Sequence, residues 1–506
     1  MAVFATSPLA SFILLLGAGT PSFAQVVDTV SPSVKITAPA SPLTATFDIT
    51  GTVKENLGLT SFTVKLNGVT QTLDTPVTLG APLNSVLWKV TGALAENGPN
   101  TIIVEAIDGA GRIGTTSKTV TYTNTRPALV GTYSALLKPS GTATNDVSGL
   151  VTVTVAAAGT FTGKVSLGGT SVSFSGYLKN DGAARFKPTL ATSYDLVNTK
   201  DYDSFLGALS LSVADPAGLS GSLLPEAGSG SPLGTFAGLK TVTSAPAALL
   251  NLTTKGSYTV KFPSQSQVGL TSERYPQGDG VGTVTISSSG SVSLSGSLAD
   301  GTAISAGGKL TSDSSIPLLA MLYKKDGSFA TKLQFDTDSA AHGNSDVLGD
   351  DSLWIRPAQP RGRYYPLGWP AGILIDVTGA KYDKTRLPNV VPGVTADGLT
   401  TGGNAIVTFK QGKLSADVPV TLNIGVLSPN KVTILPPNPS FTFSLNAGAG
   451  LFSGKLPHTD LTTPTYKGVI LQKGSSVGGT GYFLSTPTLI YVSDAASGSV
   501  TLAPKP

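Results

Sequence analysis

Hydrophobic and polar residues alternate with a period of two along most of the chain after residue 32. This alternation predicts half-buried β-strands, because successive side chains of a strand point to opposite faces of its sheet. Asn67-Gly68 follows one such strand and predicts a two-residue hairpin turn, since both residues tolerate a positive φ. The clearest strands before residue 124 are SVKIT (33–37), ATFDITGTV (45–53), SFTVKL (61–66), TIIVEAI (101–107) and SKTVTYT (117–123).

The number and spacing of these strands predict the first domain. About seven strands in about 95 residues is the size of an immunoglobulin-like sandwich. We therefore predict such a sandwich over residues 31–125, with Trp88 in its core. A polar segment ending in Pro127 follows and marks a domain boundary.

Beyond this boundary the chain repeats itself. GTFTGK (159–164) returns as GLFSGK (450–455), and GTYSALL (131–137) is matched by GSYTVKF (256–262). A strand–turn–strand pattern that recurs after roughly 130 residues predicts copies of one module. We predict three modules, at 128–252, 253–384 and 385–506.

The repeated turn itself predicts a structural joint. Phe161 and Phe452 alternate with Lys164 and Lys455, so the rings should fill cores while the lysines face water. Short Gly-Gly and Asp-Gly turns, such as Asp300-Gly301, favour up-and-down meanders. Closing such meanders removes exposed sheet edges, so small barrels are favoured and stacked sandwiches are the alternative. The predicted fold class is all-β: an Ig-like sandwich followed by tandem antiparallel β modules.

Composition excludes several classes of function. Cysteine is absent, which rules out a disulfide framework, thiolate metal sites and cysteine nucleophiles. The net charge of +4 is small for 506 residues and no Lys/Arg cluster stands out, so nucleic acid is not an expected partner.

The N-terminus predicts export. Residues 9–19 form an apolar run too short to span a bilayer, and Ser22-Phe23-Ala24 is a small-x-small cleavage site. We predict a signal peptide over 1–24 and a secreted or cell-surface protein. Residues 1–10 lack Lys and Arg, so a buried hydrophobic N-terminal segment is the alternative. No later apolar run reaches 18 residues, so no transmembrane segment is expected in the mature chain.

The inventory of catalytic side chains is small. The chain has two histidines, His342 and His458, and the sequence around each predicts a solvated loop residue. General acid–base and zinc chemistry need imidazoles or carboxylates that converge from several elements. Several aspartates stand beside glycine, where they serve turns. We expect no catalysis and no cofactor, with a glycoside-active enzyme as the least favoured alternative.

One segment, 336–351, is rich in oxygen ligands of the kind that Ca²⁺ prefers. Its spacing does not fit an EF-hand, so the alternatives are a weak Ca²⁺ site and a solvated loop. The candidate ligands are Asp336, Asp338, Asp346, Asp350 and Asp351.

A second segment, WIRPAQPRGRYYPLGWP (354–370), concentrates aromatic and arginine side chains. Sugars bind to aromatic faces flanked by planar hydrogen-bonding groups. The alternative is that Trp354 is a core residue and the rest a packed connection. The candidate sugar-binding residues are Trp354, Arg356, Arg363, Tyr364, Tyr365 and Trp369.

Two resemblances add to this picture. The opening Val34-x-Ile36-x-x-Pro39 and the stretches 51–68 and 97–114 resemble bacterial Ig-like, glucodextranase-B-like modules of secreted proteins. That resemblance implies a spacer domain. Residues 128–506, with their Gly-x-Tyr openings and the block 278–302, resemble a repeat family of large secreted proteins of Verrucomicrobiota-like bacteria. This resemblance implies a secreted protein with a β-repeat fold, and the family has no assigned chemistry.

Together these observations predict a non-catalytic secreted or cell-surface scaffold or adhesion protein. A carbohydrate-binding accessory protein that uses 354–370 is the alternative. The expected partners are an extracellular polysaccharide or a cell-surface protein.

Overall fold

The structure is a computed structural model that describes most of the chain after residue 27. It divides into two compact units, with the boundary between Tyr122 and Thr123. The predicted signal peptide, 1–24, lies outside the described residues. These are residues 28–198, 204–226, 230–251, 255–264, 270–271, 274–335, 344–386, 389–395, 402–414, 420–474, 476–486 and 495–506.

The first unit is a sandwich of two antiparallel sheets. One sheet has the order β1-β2-β5 and the other the order β4-β3-β6-β7. Trp88 lies in the core between them, 2% exposed, with its ring 5.8 Å from that of Phe62. The predicted seven-stranded sandwich is therefore confirmed. Its strands are β1 (Ser33–Ala38), β2 (Thr46–Glu55), β3 (Leu59–Leu66), β4 (Val69–Thr70), β5 (Leu83–Leu94), β6 (Gly98–Asp108) and β7 (Ile113–Tyr122).

The second unit begins with a nearly closed barrel, which we call the first barrel. Its strands follow the order β12-β11-β10-β9-β8-β16-β15-β14-β13, so β8, the first in sequence, pairs with β16, the last. These strands are β8 (Gly131–Pro139), β9 (Gly149–Val155), β10 (Thr160–Leu167), β11 (Thr170–Leu178), β12 (Ala184–Phe186), β13 (Tyr194–Asn198), β14 (Ser204–Ala214), β15 (Gly218–Leu224) and β16 (Gly234–Gly238).

The second barrel has the order β20-β19-β18-β17-β24-β23-β22-β21. The consecutive strands β20 and β21 lie side by side without a hydrogen-bonded ladder, which leaves the barrel nearly closed. Its strands are β17 (Lys255–Phe262), β18 (Gly280–Ser287), β19 (Ser291–Ser297), β20 (Ala303–Lys309), β21 (Ser315–Leu322), β22 (Gly327–Phe335), β23 (Val347–Arg356) and β24 (Trp369–Lys381).

The third barrel has the order β27-β26-β25-β32-β31-β30-β29-β28, and its first strand in sequence, β25, again pairs with its last, β32. Its strands are β25 (Ala405–Gln411), β26 (Val420–Leu427), β27 (Lys431–Ile434), β28 (Thr442–Asn446), β29 (Leu451–Lys455), β30 (Thr465–Leu471), β31 (Gly478–Leu484) and β32 (Ser497–Pro504).

All three barrels are meanders in which almost every strand pairs with its neighbours in sequence. The predicted all-β class is confirmed, and of the two alternatives left open for the modules after residue 128 the structure shows nearly closed barrels. The helical elements among the described residues are short 3-10 turns. They span Pro127–Leu129, Asn145–Val147, Ala247–Leu249 and Tyr323–Lys325.

The repeated Gly-x-Phe-x-Gly-Lys motif has the same structure in the first and third barrels: its glycine ends a turn, and its Phe, Gly and Lys lie in strands β10 and β29. Phe161 and Phe452 are each 2% exposed, and Lys164 and Lys455 are exposed, as predicted. In both copies the strand pair places aromatic rings opposite glycines across the ladder. The pairs are Phe161–Gly176 and Gly163–Phe174 in the first barrel, and Phe452–Gly468 and Gly454–Tyr466 in the third.

This pairing explains the spacing that the two copies share. A Cβ on Gly163 would lie 2.3 Å from the Phe174 ring, so the ring occupies the space that any larger residue needs. Covering a strand glycine with a cross-strand aromatic ring fixes the register of the two strands. The repeat is therefore a packing device.

The barrels of the second unit are joined by direct contacts. A separate apolar cluster, Val281 and Ala299 of the second barrel with Val469, Leu471 and Tyr482 of the third, lies at their junction. At the other junction, the backbone amide of Val242, in the segment after the first barrel, donates to the carbonyl of Leu310 at 2.8 Å.

Candidate functional site

Three of the four aromatic rings in the segment 354–370 are buried. Trp354 lies in the core of the second barrel at 1% exposure, and Trp369 is 3% exposed. The two indole rings meet edge to face with centroids 4.6 Å apart, and Tyr365 packs on Trp369 at 5.6 Å. These three rings therefore do not form an open platform.

Arg356 is held inside the same cluster by a buried ion pair. Its Nη1 lies 2.8 Å from Oδ2 of Asp300, and the two side chains are 5% and 1% exposed. Its Nη2 donates to the carbonyl of Tyr364 at 2.7 Å. Tyr323 donates its hydroxyl to the same Asp300 oxygen at 2.8 Å and accepts from Nε1 of Trp354 at 3.0 Å. The guanidinium of Arg356 therefore bonds to groups of the protein itself and has a structural role.

The electrostatic surroundings of Tyr323 agree with this role. Burial raises the pKa of the Tyr323 hydroxyl far above its ordinary value, and the Asp300 carboxylate raises it further. The hydroxyl is therefore protonated at neutral pH and can donate its hydrogen bond to Asp300.

Tyr364 and Tyr365 connect this cluster to the third barrel. The Tyr365 hydroxyl accepts a hydrogen bond from the backbone amide of Ser497 at 2.8 Å, and the Tyr364 hydroxyl donates to the carbonyl of Ser485 at 3.1 Å. Ser485 directly follows strand β31, and Ser497 is the first residue of strand β32. The segment is a joint between barrels.

The sugar-platform hypothesis therefore loses its geometric basis at four of its six residues, because Trp354, Arg356, Tyr365 and Trp369 are buried. Tyr364 is half-buried and Arg363 is exposed. The packed connection, the alternative from sequence, describes the segment. Sequence reasoning missed Asp300, which it assigned to a turn. Asp300 does accept from the amide of Thr302, but its second oxygen reaches Arg356.

The candidate Ca²⁺ ligands that the structure describes, Asp346, Asp350 and Asp351, do not lie together in one loop. Asp336 and Asp338 lie outside the described residues. Asp350 and Asp351 belong to strand β23, because the ladder with β22 starts at Val347. The Asp346 carboxylate accepts hydrogen bonds from the Nζ of Lys473 and from the backbone amide of Lys381, each at 2.9 Å.

Within the described ranges, no group of three or more His, Cys, Asp or Glu side chains is arranged to hold a metal ion. The prediction of a loop over 336–351 is therefore wrong for residues 347–351, which belong to strand β23.

His458 corrects another expectation. The sequence predicts a solvated loop histidine, yet its side chain is 1% exposed. Its Nε2 lies 3.0 Å from the carbonyl oxygen of Gly412, and its Nδ1 lies 2.8 Å from Oδ1 of Asp460. The ring also packs on Phe483 at 6.2 Å. The side chain ties a loop to the third barrel. His342 lies outside the described residues.

A cleft of about 760 Å³ opens where the second and third barrels meet. Strand β24 leads into it through Lys381, and the segment after strand β30 enters it from the third barrel. Its charged lining consists of Lys255, Asp346, Lys381, Asp383, Lys384 and Lys473.

The amide side chains of the cleft hold its walls together. Nε2 of Gln472 donates to the carbonyls of Asp383 and Val390, and its Oε1 accepts from the Asp383 amide at 2.7 Å. Asn251 likewise accepts from the amide of Ser257 at 2.7 Å. These groups give the cleft a fixed shape.

Lysine dominates the electrostatics of the cleft. Burial lowers the pKa of Lys381, the Asp346 carboxylate opposes this, and the neighbouring Lys473 ammonium lowers it further. Lys255 and Lys384 are exposed and have no side-chain partner among the described residues. Four lysines against two aspartates leave the lining with an excess of positive charge.

No helix in the described part of the chain is both long and apolar enough to cross a bilayer. Comparison with protein-family models and with curated proteins gives no match. Among solved structures, the chain is similar to SGBP-B of a Bacteroides ovatus mixed-linkage glucan utilization locus, solved in complex with a mixed-linkage heptasaccharide. The identity is 12%, the match covers 57% of this chain and 72% of that one, and the TM-score is 0.16. A similarity at that TM-score carries no functional argument.

Proposed function

We propose that the protein is a non-catalytic scaffold, secreted or held at a cell surface, whose three barrels form one stiff body. The observation that carries this proposal is the joint at Tyr364 and Tyr365. A segment that the sequence marks as the best candidate for ligand binding is instead used to fasten one barrel to the next.

The other contacts between the second and third barrels support the same role. Oγ1 of Thr259 donates to the carbonyl of Ile470 at 2.7 Å in a fully buried position. The Tyr482 hydroxyl donates to Oγ of Ser297 at 2.9 Å. Buried, satisfied polar contacts around an apolar cluster fix the relative orientation of two bodies, since each one is costly to leave unpaired.

Polysaccharide binding through 354–370 is not retained as the main function, because three of its four aromatic rings, Trp354, Tyr365 and Trp369, are buried. The absence of catalysis remains part of the proposal and rests on the small inventory of His and Glu and on the structural use of Arg356, Asp300 and His458. Export likewise remains a proposal that rests on residues 9–24 of the sequence.

Two experiments test the proposal. Protease treatment of intact producing cells should remove the protein if it is at the surface, and an intracellular pool that resists the protease would contradict that location. A distance measurement between labels on the first and third barrels tests stiffness. One narrow distance distribution supports a scaffold, and a broad distribution contradicts it.

A further inference from the structure

The cleft between the second and third barrels has properties that the scaffold role does not use. It holds about 760 Å³, within the range of ligand-binding pockets, and its walls are fixed by the Gln472 and Asn251 hydrogen bonds. A joint needs packing, whereas this region leaves an open space lined by charged groups. Such a space is a candidate binding site.

The charged residues that line the cleft determine whether it favours a negatively or a positively charged ligand. Lys255, Lys381, Lys384 and Lys473 face Asp346 and Asp383, a net charge of +2 from four positive and two negative groups. Asp346 is already paired with Lys473, and Asp383 accepts from the amide and hydroxyl of Thr385. The side chains of Lys255 and Lys384 make no hydrogen bond or ion pair in the described part of the structure. An anion therefore fits and a cation does not.

We infer that this cleft binds an anionic polysaccharide, one that carries carboxylate or sulfate groups along its chain. A small single anion satisfies one or two lysines, whereas a chain with an anionic group on successive sugar units meets several at once. Lysine ammonium groups pair with carboxylate and sulfate alike because they act as point charges with three donors. Sugar hydroxyls additionally meet the hydroxyls of Ser257 and Thr385, which line the same cleft.

A bound anion would stabilise the charged form of Lys381, which is half-buried. Its charged form is disfavoured by burial and by the Lys473 ammonium nearby. An anionic group placed between these two lysines offsets both effects. The inference does not need the absence of catalysis or a surface location, but it rests on one part of the proposed function: the second and third barrels must stay joined, since both supply walls of the cleft.

The test uses the full chain and measures affinity by titration calorimetry for three polymers: polygalacturonate, dextran sulfate and neutral dextran. We expect both anionic polymers to bind, neutral dextran not to bind, and the affinity to fall as salt rises toward about 0.15 M. Stronger binding of one anionic polymer identifies carboxylate or sulfate as the group recognised. Binding of neutral dextran with equal affinity, or no binding of either anionic polymer, overturns the inference.

A matched pair of variants locates the binding. The double variant Lys255→Gln/Lys384→Gln removes two cleft lysines that have no partner in the described structure, so folding should be unaffected. The control Lys164→Gln/Lys455→Gln removes the same two charges from exposed positions on the first and third barrels. We expect about tenfold weaker binding for the cleft variant and wild-type binding for the control. Equal losses in both, or tighter binding of DNA than of either polysaccharide, would contradict a glycan site in the cleft.

Discussion

Tyr365 accepts a hydrogen bond from the backbone amide of Ser497, which is 132 residues further along the chain and belongs to another barrel. Both groups are buried, so the amide has no water to replace the tyrosine. The contact links the aromatic cluster of the second barrel to the last strand of the third. This contact is the main reason that we expect the two barrels to move as one body.

Replacing Tyr365 with phenylalanine should destabilise this junction. The change keeps the ring and leaves the amide of Ser497 buried without an acceptor, which costs about 1–3 kcal/mol. Urea denaturation followed by tryptophan fluorescence measures the loss, because Trp354 and Trp369 lie in the same cluster. Tyr177→Phe is the control, since its ring meets Lys187 and its hydroxyl makes no hydrogen bond in the described structure. Equal stability of the two variants would contradict a stabilising role for the Tyr365 hydroxyl.

Replacing the strand glycine of the repeated motif, Gly163 or Gly454, with alanine should destabilise the protein. Gly163→Ala places a Cβ 2.3 Å from the Phe174 ring, and Gly454→Ala places one 1.8 Å from the carbonyl oxygen of Thr442. Overpacking of this kind costs about 1–3 kcal/mol. Thermal unfolding should show a lower midpoint for both variants. Gly141→Ala, which meets nothing within 4 Å, should match the wild type. A wild-type midpoint for Gly163→Ala would refute the packing role of the repeat.

The buried pair of Arg356 and Asp300 should show strong coupling. Either Arg356→Met or Asp300→Asn leaves the other partner without its counter-charge, at a cost of about 3–5 kcal/mol. The double variant should cost much less than the sum of the two, and the free energies of unfolding form a double-mutant cycle. The exposed pair of Lys89 and Asp48 is the comparison, with an expected coupling below about 1 kcal/mol. Additive costs at Arg356 and Asp300 would argue against a buried ion pair.

The Asp313 carboxylate should increase the free energy of unfolding at neutral pH, and this contribution should be lost in acid. Burial alone would raise the pKa of its carboxyl, but hydrogen bonds from Thr311, Ser315 and Lys332 lower it to about 2. The ordinary value is 3.8, so the folded state binds the proton more weakly than the unfolded state. The contribution of Asp313 to the free energy of unfolding is therefore complete above about pH 4, and it disappears as the pH falls toward about 2.

The measurement for Asp313 is the free energy of unfolding against pH. Asp313→Asn should be less stable than the wild type at about pH 6, and the two curves should converge as the pH falls from about 4 to about 2. Asp326→Asn, which alters an exposed carboxylate, should follow the wild type throughout. Curves for Asp313→Asn and the wild type that stay parallel down to about pH 2 would show that the carboxylate contributes nothing.

The features predicted correctly from sequence are local ones. Alternation of apolar residues predicts the strands, turn glycines predict the meanders, and the repeated turn predicts that Phe161 and Phe452 are core residues. Each of these depends on a few consecutive residues and on the two-fold period of a strand.

The missed features depend on contacts between distant segments. Asp-Gly is a turn signal, so the sequence assigns Asp300 to a turn, and nothing near it indicates that Arg356 will reach it. His458 follows a proline, which suggests a solvated loop, and its burial depends on Gly412 and Phe483. The cleft is made by two barrels, so no single stretch of sequence indicates it.

The most direct test of the scaffold is the distance between the first and third barrels. The chain has no cysteine, so Lys164→Cys and Lys455→Cys introduce the two exposed attachment points for spin labels without background. Pulsed electron paramagnetic resonance on the full chain should give one narrow distance distribution, which broadens when Tyr364→Phe and Tyr365→Phe are added. A broad or multiple distribution in the otherwise unaltered chain would contradict a stiff scaffold.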